Sequence, residues 1–181
     1  QGGLQINHHL EKFLVRSSVL TAGAEYIHDK VFDEISTYRY EIDQTTKNFG
    51  TYLQNDWDIT PTLNFLAGFR FDKHNLLARA IFSPRLSLLY KGVENTKFRV
   101  GWGTGFRAPQ AFDTDLHIAF AGGGVSRIVL SPDLNEERST SFTSSVNYDK
   151  GTPHFIAGFT VEAFYTRLKD AFFQFPLGKD E

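Results

Sequence analysis

Asp113, Asp115 and His117 stand two residues apart on one stretch of chain, and carboxylates beside an imidazole are donors a divalent metal accepts. That spacing on an irregular segment fixes no coordination geometry, so these side chains are read as solvated or as caps on a turn, and no metal is assigned. His8 and His9 are adjacent on an alternating run, which turns their rings to opposite faces and prevents them from sharing an ion. Gly101, Gly103 and Gly105 are not a dinucleotide fingerprint, because the spacing is wrong and no helix follows. Serines at 139, 141, 144 and 145 are explained by the polar face of a strand, and no Gly-x-Ser-x-Gly elbow exposes a nucleophile. No enzymatic activity and no resident cofactor are therefore expected. A second group of residues suits capture of a ligand better than chemistry on it. Phe112, Asp113, Asp115, His117, Phe120 and Arg127 fall on one long link, and binding residues concentrate on long loops held by a rigid scaffold.

The scaffold that must hold this link reads as strands. Residues 49–59 place Phe49, Thr51, Leu53, Asn55, Trp57 and Ile59 in one phase, against Gly50, Tyr52, Gln54, Asp56 and Asp58 in the other. The pattern recurs with Leu63, Phe65, Ala67, Phe69 and Phe71, then with Phe82, Pro84, Leu86, Leu88 and Tyr90, then with Phe98, Val100, Trp102, Thr104 and Phe106. A period of two means strands with one apolar and one polar face. Strands of about ten residues, apolar outside and polar within, suit a transmembrane β-barrel, where closure satisfies every backbone N–H and C=O without helices.

Composition agrees. The 181 residues include 18 Phe and no Cys or Met, so disulfides and thiolate chemistry are excluded. A net charge of −2 lacks the basic footprint of a nucleic-acid partner. The mean hydropathy of −0.29 is no argument against a membrane, because barrel strands dilute each outward residue with an inward polar one. Residues 1–7 lack a basic region followed by an apolar core, as expected of a mature chain or a piece of one.

The predicted strands run over roughly 2–9, 18–30, 45–58, 62–74, 80–91, 96–106, 138–149 and 154–168, with a ninth starting near Ala171. Short turns at Pro61, at 91–95 and at 149–153 carry the Pro, Gly and Asn that tight reversals need. Longer links fall at 30–45, at 73–80 and at 108–135, the last with a short helical turn over 109–117. Each reversal switches ends, so the long links share one rim and the short turns the other, as in outer-membrane barrels. Trp57, Tyr90, Trp102 and Tyr148 are expected toward strand ends, at the membrane interface.

Three motifs in order carry a resemblance. Residues 83–90, Ser-Pro-Arg-Leu-Ser-Leu-Leu-Tyr, resemble the proline–arginine strand of TonB-dependent outer-membrane receptors. Residues 101–109, Gly-Trp-Gly-Thr-Gly-Phe-Arg-Ala-Pro, are similar to that family's glycine-rich strand, and 131–139 resemble its Pro-x-Leu-x-x-Glu strand start. The resemblance implies an all-β, antiparallel meander forming an arc of a transmembrane barrel, in a protein that imports a ferric siderophore, haem, cobalamin or glycan. It also implies a plug domain in the lumen, a TonB-contacting segment and a barrel of about 22 strands, so this chain is expected to be a fragment unable to transport alone.

The polar-phase residues Arg85, Arg99, Gly101, Gly103, Gly105 and Arg107 are then the plug-facing wall, since Arg on the lipid side costs about 2–4 kcal/mol. Asp56, Asp58, Asp72 and Glu162 are their expected carboxylate partners. Phe112, Asp113, Asp115, His117, Phe120 and Arg127 join the outer vestibule. Two alternatives stay open: a self-contained eight-stranded barrel with a structural or adhesive role, needing strand 4–9 to pair with 159–165, and a soluble sandwich or lipid-binding barrel whose apolar face is a core. Whether Phe65, Phe69 and Trp57 face outward decides between wall and core.

Overall fold

The computed structural model describes residues 1–13, 16–36, 40–109, 131 and 134–173. These form one sheet of eight strands: β1 (Gly2–Phe13), β2 (Arg16–Ile35), β3 (Tyr40–Thr60), β4 (Leu63–His74), β5 (Ile81–Val93), β6 (Thr96–Arg107), β7 (Glu137–Gly151) and β8 (Ile156–Lys169). The order is β1 to β8 without crossover, and every pairing is antiparallel between sequence neighbours. The sheet is open. β1 pairs with β2 alone and β8 with β7 alone, which overturns the closed eight-stranded alternative.

The register carries the period of two across the whole sheet. Ala22, Leu53 and Phe69 stand in one row, as do Phe65 with Leu88, Leu86 with Trp102, and Trp102 with Phe142. Leu63, Phe65, Phe69, Phe98, Val100 and Trp102 thus share one continuous surface. Among the described residues no second layer covers it: Leu4 is 70 % exposed, Val100 52 % and Phe69 38 %. That removes the sandwich, which needs this face as its interior. The only buried apolar cluster of the described residues is small, Leu77, Ile81 and Ala108 with Phe106 against it. It sits at the long-link end, where Ile81 is opposite Asp72 on the polar face.

The short turns have local causes. Asn95 adopts a positive φ of 58°, which its short polar side chain tolerates, and its carbonyl accepts from the Asp149 N–H at 2.9 Å. Between β7 and β8 the Thr152 hydroxyl both accepts from the Phe155 N–H and donates to the Phe155 carbonyl. At the other end, the link after β4 is fastened to β3. Asn75 donates to the Lys47 carbonyl at 2.9 Å, accepts from the Lys47 N–H at 2.7 Å, and donates through Nδ2 to the Thr45 carbonyl.

Two sequence expectations are corrected here. Residues 30–45 are not a long loop: β2 and β3 continue to an Ile35–Tyr40 pair. Charges such as Lys30, Asp33, Glu34, Glu41 and Asp43 interrupt the apolar alternation that marks strands. The backbone ladder needs no such pattern, and a Lys30–Asp43 ion pair at 3.3 Å spans the hairpin. Residues 170–173 are not strand. The Phe172 N–H instead donates to Glu137 Oε2 at 3.2 Å, at the start of β7; the rest of the expected ninth strand lies outside the described residues.

Candidate functional site

The apolar face carries two aromatic belts. Near the short turns, Trp57 stacks on Phe65 with centroids 5.9 Å apart, Tyr148 stacks on Phe159 at 5.5 Å, and Tyr90 lies 6.4 Å from Phe98. Toward the other end, Phe69, Phe71 and Phe82 form a cluster with separations of 4.9–5.8 Å, and Tyr26 pairs with Phe49. Phe49 and Trp57 are eight residues apart on β3, roughly 26 Å along the strand and about 20 Å along the axis of a barrel tilted ~40°. That height approaches the ~25 Å apolar band of outer-membrane barrels flanked by aromatic girdles. Trp57, Tyr90 and Tyr148 lie at strand ends as expected. Trp102 does not: it stands midway up β6, in the row of Ala67 and Leu86. Above the upper belt the β2–β3 hairpin continues for nine residues on each strand, 27–35 and 40–48, about 30 Å of ladder beyond the band.

The polar face falls into two sectors. On β2–β4 the side chains interlock. Arg70 Nε donates to both Asp72 oxygens at 2.8 and 2.9 Å, and its Nη2 donates to Glu25 Oε2 at 3.1 Å. Asn48 Nδ2 donates to Asp72 Oδ1 at 2.8 Å, so a carboxylate only 2 % exposed has three donated bonds. Such saturation is what makes a buried charge tolerable. Glycine makes the geometry possible. A Cβ on Gly50 would lie 2.2 Å from Arg70 Nη2, and one on Gly23 would lie 2.4 Å from the Tyr52 ring, whose hydroxyl donates to Gln5 at 2.8 Å. Arg85 donates to the neutral Gln54, and Asn64 donates to Asp56.

On β6–β8 the same face is shallow: Gly101, Gly103 and Gly105 alternate along β6 opposite Thr143, Ser141 and Ser139 of β7. Gly103 has the most room, its nearest neighbour to an added Cβ being Arg85 Cβ at 3.5 Å. Among the described residues the ion pair on this sector's polar face is at the upper rim. There Arg107 forms an ion pair with Glu137 at 3.0 Å and lies 5.0 Å over the Phe172 ring.

The expected carboxylate partners are corrected accordingly. Asp72 serves Arg70, Asp56 accepts from Asn64, Asp58 accepts from Ser17, and Glu162 forms no ion pair among the described residues. Arg85, Arg99, Gly101, Gly103, Gly105 and Arg107 do share the polar face. Phe112, Asp113, Asp115, His117, Phe120 and Arg127, with the helical turn expected there, lie outside the described residues, though the strands that carry their link end at Arg107 and Glu137 on the long-link rim. Sequence reasoning missed Arg70, Glu25 and Asn48. Arg70 and Asp72 at i and i+2 of one strand were a legible same-face pair; Glu25, 45 residues away, was not. An open cavity of about 620 Å³ lies over this network, lined by Gln5, Glu25, Tyr52, Gln54, Arg70 and Arg85.

A single sheet with a belted apolar face and a polar face of interlocked charge is the wall of a membrane barrel. The family model described as TonB dependent receptor-like, beta-barrel, matches residues 1–180, and the chain belongs to this family of outer-membrane transport receptors, which is not an enzyme family. No curated protein sequence matches it. Among solved structures it is similar to the siderophore receptor PirA from Pseudomonas aeruginosa (19 % identity, TM-score 0.65, 91 % of this chain and 30 % of that one). It is similar also to a mutant of the ferric enterobactin receptor PfeA from the same organism, in complex with enterobactin (18 %, 0.66, 87 % and 25 %). The FrpB iron transporter from Neisseria meningitidis, F3-3 variant, is a third (18 %, 0.64, 93 % and 28 %). At these identities the likeness shows the fold, and the chain spans less than a third of each receptor's length. No described helix is long and apolar enough to cross a membrane, which says nothing of strands.

Proposed function

We propose that this chain is an arc of the wall of a Gram-negative outer-membrane receptor that binds a scarce nutrient and imports it with energy from the TonB system. The observation that carries the reading is the family match over 1–180 on a sheet whose two edges, β1 and β8, remain free to continue the wall. Exposed edges of this length invite pairing, and a larger barrel removes them. The cargo class is a ferric siderophore, haem or cobalamin; the siderophore and iron receptors among the similar structures favour the first. Outer-membrane lipid contacts the belted face, the receptor's plug domain faces Arg85, Arg99, Gly101, Gly103, Gly105 and Arg107, and TonB engages the receptor through its N-terminal region. The link between Arg107 and Glu137 supplies Phe112, Asp113, Asp115, His117, Phe120 and Arg127 to the extracellular vestibule.

The test uses the full-length receptor that contains this sequence. Cells dependent on it for iron should take up a ferric siderophore only when TonB is present; uptake without TonB would overturn the reading. In the same receptor, Phe112→Ala with His117→Ala should weaken ligand binding by about tenfold while stability stays within ~0.5 kcal/mol, as for exposed substitutions. Unchanged affinity would remove the loop from the site.

A further inference from the structure

Charge on the polar face is sorted by strand. Residues paired in its phase on β2–β4 include six carboxylates, Glu25, Asp29, Asp33, Asp56, Asp58 and Asp72, against the single guanidinium of Arg70. The same phase of β5 and β6 holds Arg85, Lys91, Lys97, Arg99 and Arg107 and no carboxylate at all. Arg107 is neutralised by Glu137 at the rim, and Lys91, at the short-turn end, lies near Asp58. Arg85, Lys97 and Arg99 have no such counter-charge. Arg85 donates to a neutral amide, and Lys97 and Arg99 stand opposite Asn147 and Ser145 and form no hydrogen bond or ion pair among the described residues. Toward the long-link rim Arg70 engages both Asp72 and Glu25, and Asp56, two residues from Gln54 on β3, accepts from Asn64. Glu162 shares the row of Arg99 but stands two strands away, across Ser145, and forms no ion pair with it among the described residues.

We infer that the β5–β6 band of Arg85, Lys97 and Arg99 is a docking surface for a carboxylate-bearing polypeptide segment seated against the wall inside the barrel. This rests on the reading above that a polypeptide domain fills the lumen, and it adds which sector that domain is charge-matched to. Lys97 and Arg99 stand two residues apart on β6, with Arg85 opposite Gly103 further along the same face; where lipid and protein limit screening, an acidic partner is stabilising beside them. The β2–β4 sector, with its excess of carboxylates, offers such a segment repulsion. Beside the band the wall is low, because Gly101, Gly103 and Gly105 carry no side chain, and an added Cβ at Gly103 would find its nearest atom, the Arg85 Cβ, at 3.5 Å. In the Gly101–Thr143 row, Phe164 of β8 is 83 % exposed and gives the segment an apolar contact next to its charge.

The experiment measures hydrogen exchange of lumen-domain amides in the purified full-length receptor. Arg85→Glu with Arg99→Glu should raise exchange in that domain by roughly tenfold or more while barrel amides stay protected. Arg85→Lys with Arg99→Lys, which keeps the charge, should leave exchange as in the parent. If the reversed variant does not assemble, Arg85→Gln with Arg99→Gln should show a smaller rise of the same kind. Unchanged lumen exchange in a receptor that still imports overturns the inference while leaving the receptor reading intact. Unchanged exchange with a weakened siderophore Kd would assign the band to anionic cargo and overturn it too. If Glu162→Gln alone loosens the domain as much as Arg99→Gln, the counter-charge of Arg99 lies in the wall and the inference falls.

Discussion

The β2–β4 and β6–β8 sectors of this wall share one fold, one alternation and one orientation, yet hold their polar faces together differently. On β2–β4, long side chains lie flat over glycines and bond across strands: Arg70 over Gly50, Tyr52 over Gly23. On β6 the nearest atom to an added Cβ is a β7 hydroxyl at Gly101 and Gly105 and the Arg85 stem at Gly103, and Ser141 with Thr166 and Asn147 with Thr160 are short bridges that leave the surface low. Glycine on the polar face therefore has two uses. In one sector it lets the wall's own side chains interlock; in the other it keeps the surface low among short hydroxyl side chains.

The largest expected effect follows from breaking the interlocked sector at its centre. Arg70→Ala would leave Asp72 buried with one remaining donor and Glu25 without its ion pair. Removing one partner of a buried pair typically costs ~3–5 kcal/mol; with the Arg70 side chain one-third exposed, about 2 kcal/mol is expected. Denaturant unfolding of the full-length receptor in detergent, compared with Arg70→Lys, measures it. A loss no larger than that of an exposed strand substitution would mean that the network is ornamental.

Gly23→Ala against Gly103→Ala sharpens the contrast between the two uses of glycine. A Cβ at Gly23 meets the Tyr52 ring at 2.4 Å and the Leu4 carbonyl oxygen at 2.8 Å, and the second of these is backbone that cannot swing away. Overpacking of this kind costs about 1–3 kcal/mol. At Gly103 the nearest atom is 3.5 Å away, so the wall should tolerate alanine within ~0.5 kcal/mol. Because the wall has room, impaired uptake in Gly103→Val with normal barrel assembly would report on the lumen domain rather than on the barrel. Unimpaired uptake would remove Gly103 from the plug-facing set.

A smaller loss than at Gly23 is expected of Tyr52→Phe, which removes one bond to Gln5 at 2.8 Å on an exposed stretch but keeps the ring over Gly23. About 0.5–1 kcal/mol is expected, less than for Gly23→Ala. If Tyr52→Phe proved the more damaging, the hydroxyl and not the packed ring would be what the glycine serves.

Strand identity, the two faces and the short turns were legible in the sequence, because each depends on residues within a few positions of one another. The period of two places Phe65, Phe69 and Val100 on one surface whatever lies beside them, and the turn chemistry of Pro61, Asn95 and Gly151 acts over three or four residues. Each reversal then moves the chain to the opposite end, so the rim of the 108–135 link was fixed by counting. What the sequence could not show depended on pairing. Arg70 meets Glu25 only because β4 lies beside β3 and β3 beside β2 in one register, a relation between residues 45 apart. The extension of β2 and β3 to Ile35 and Tyr40 was hidden for the same reason: backbone hydrogen bonds to a neighbouring strand hold it, and the charged side chains there carry no periodic trace of them. The open edges at β1 and β8 were likewise decided in three dimensions, since whether a sheet closes depends on how the twist and stagger of all its strands accumulate, and no single strand encodes that.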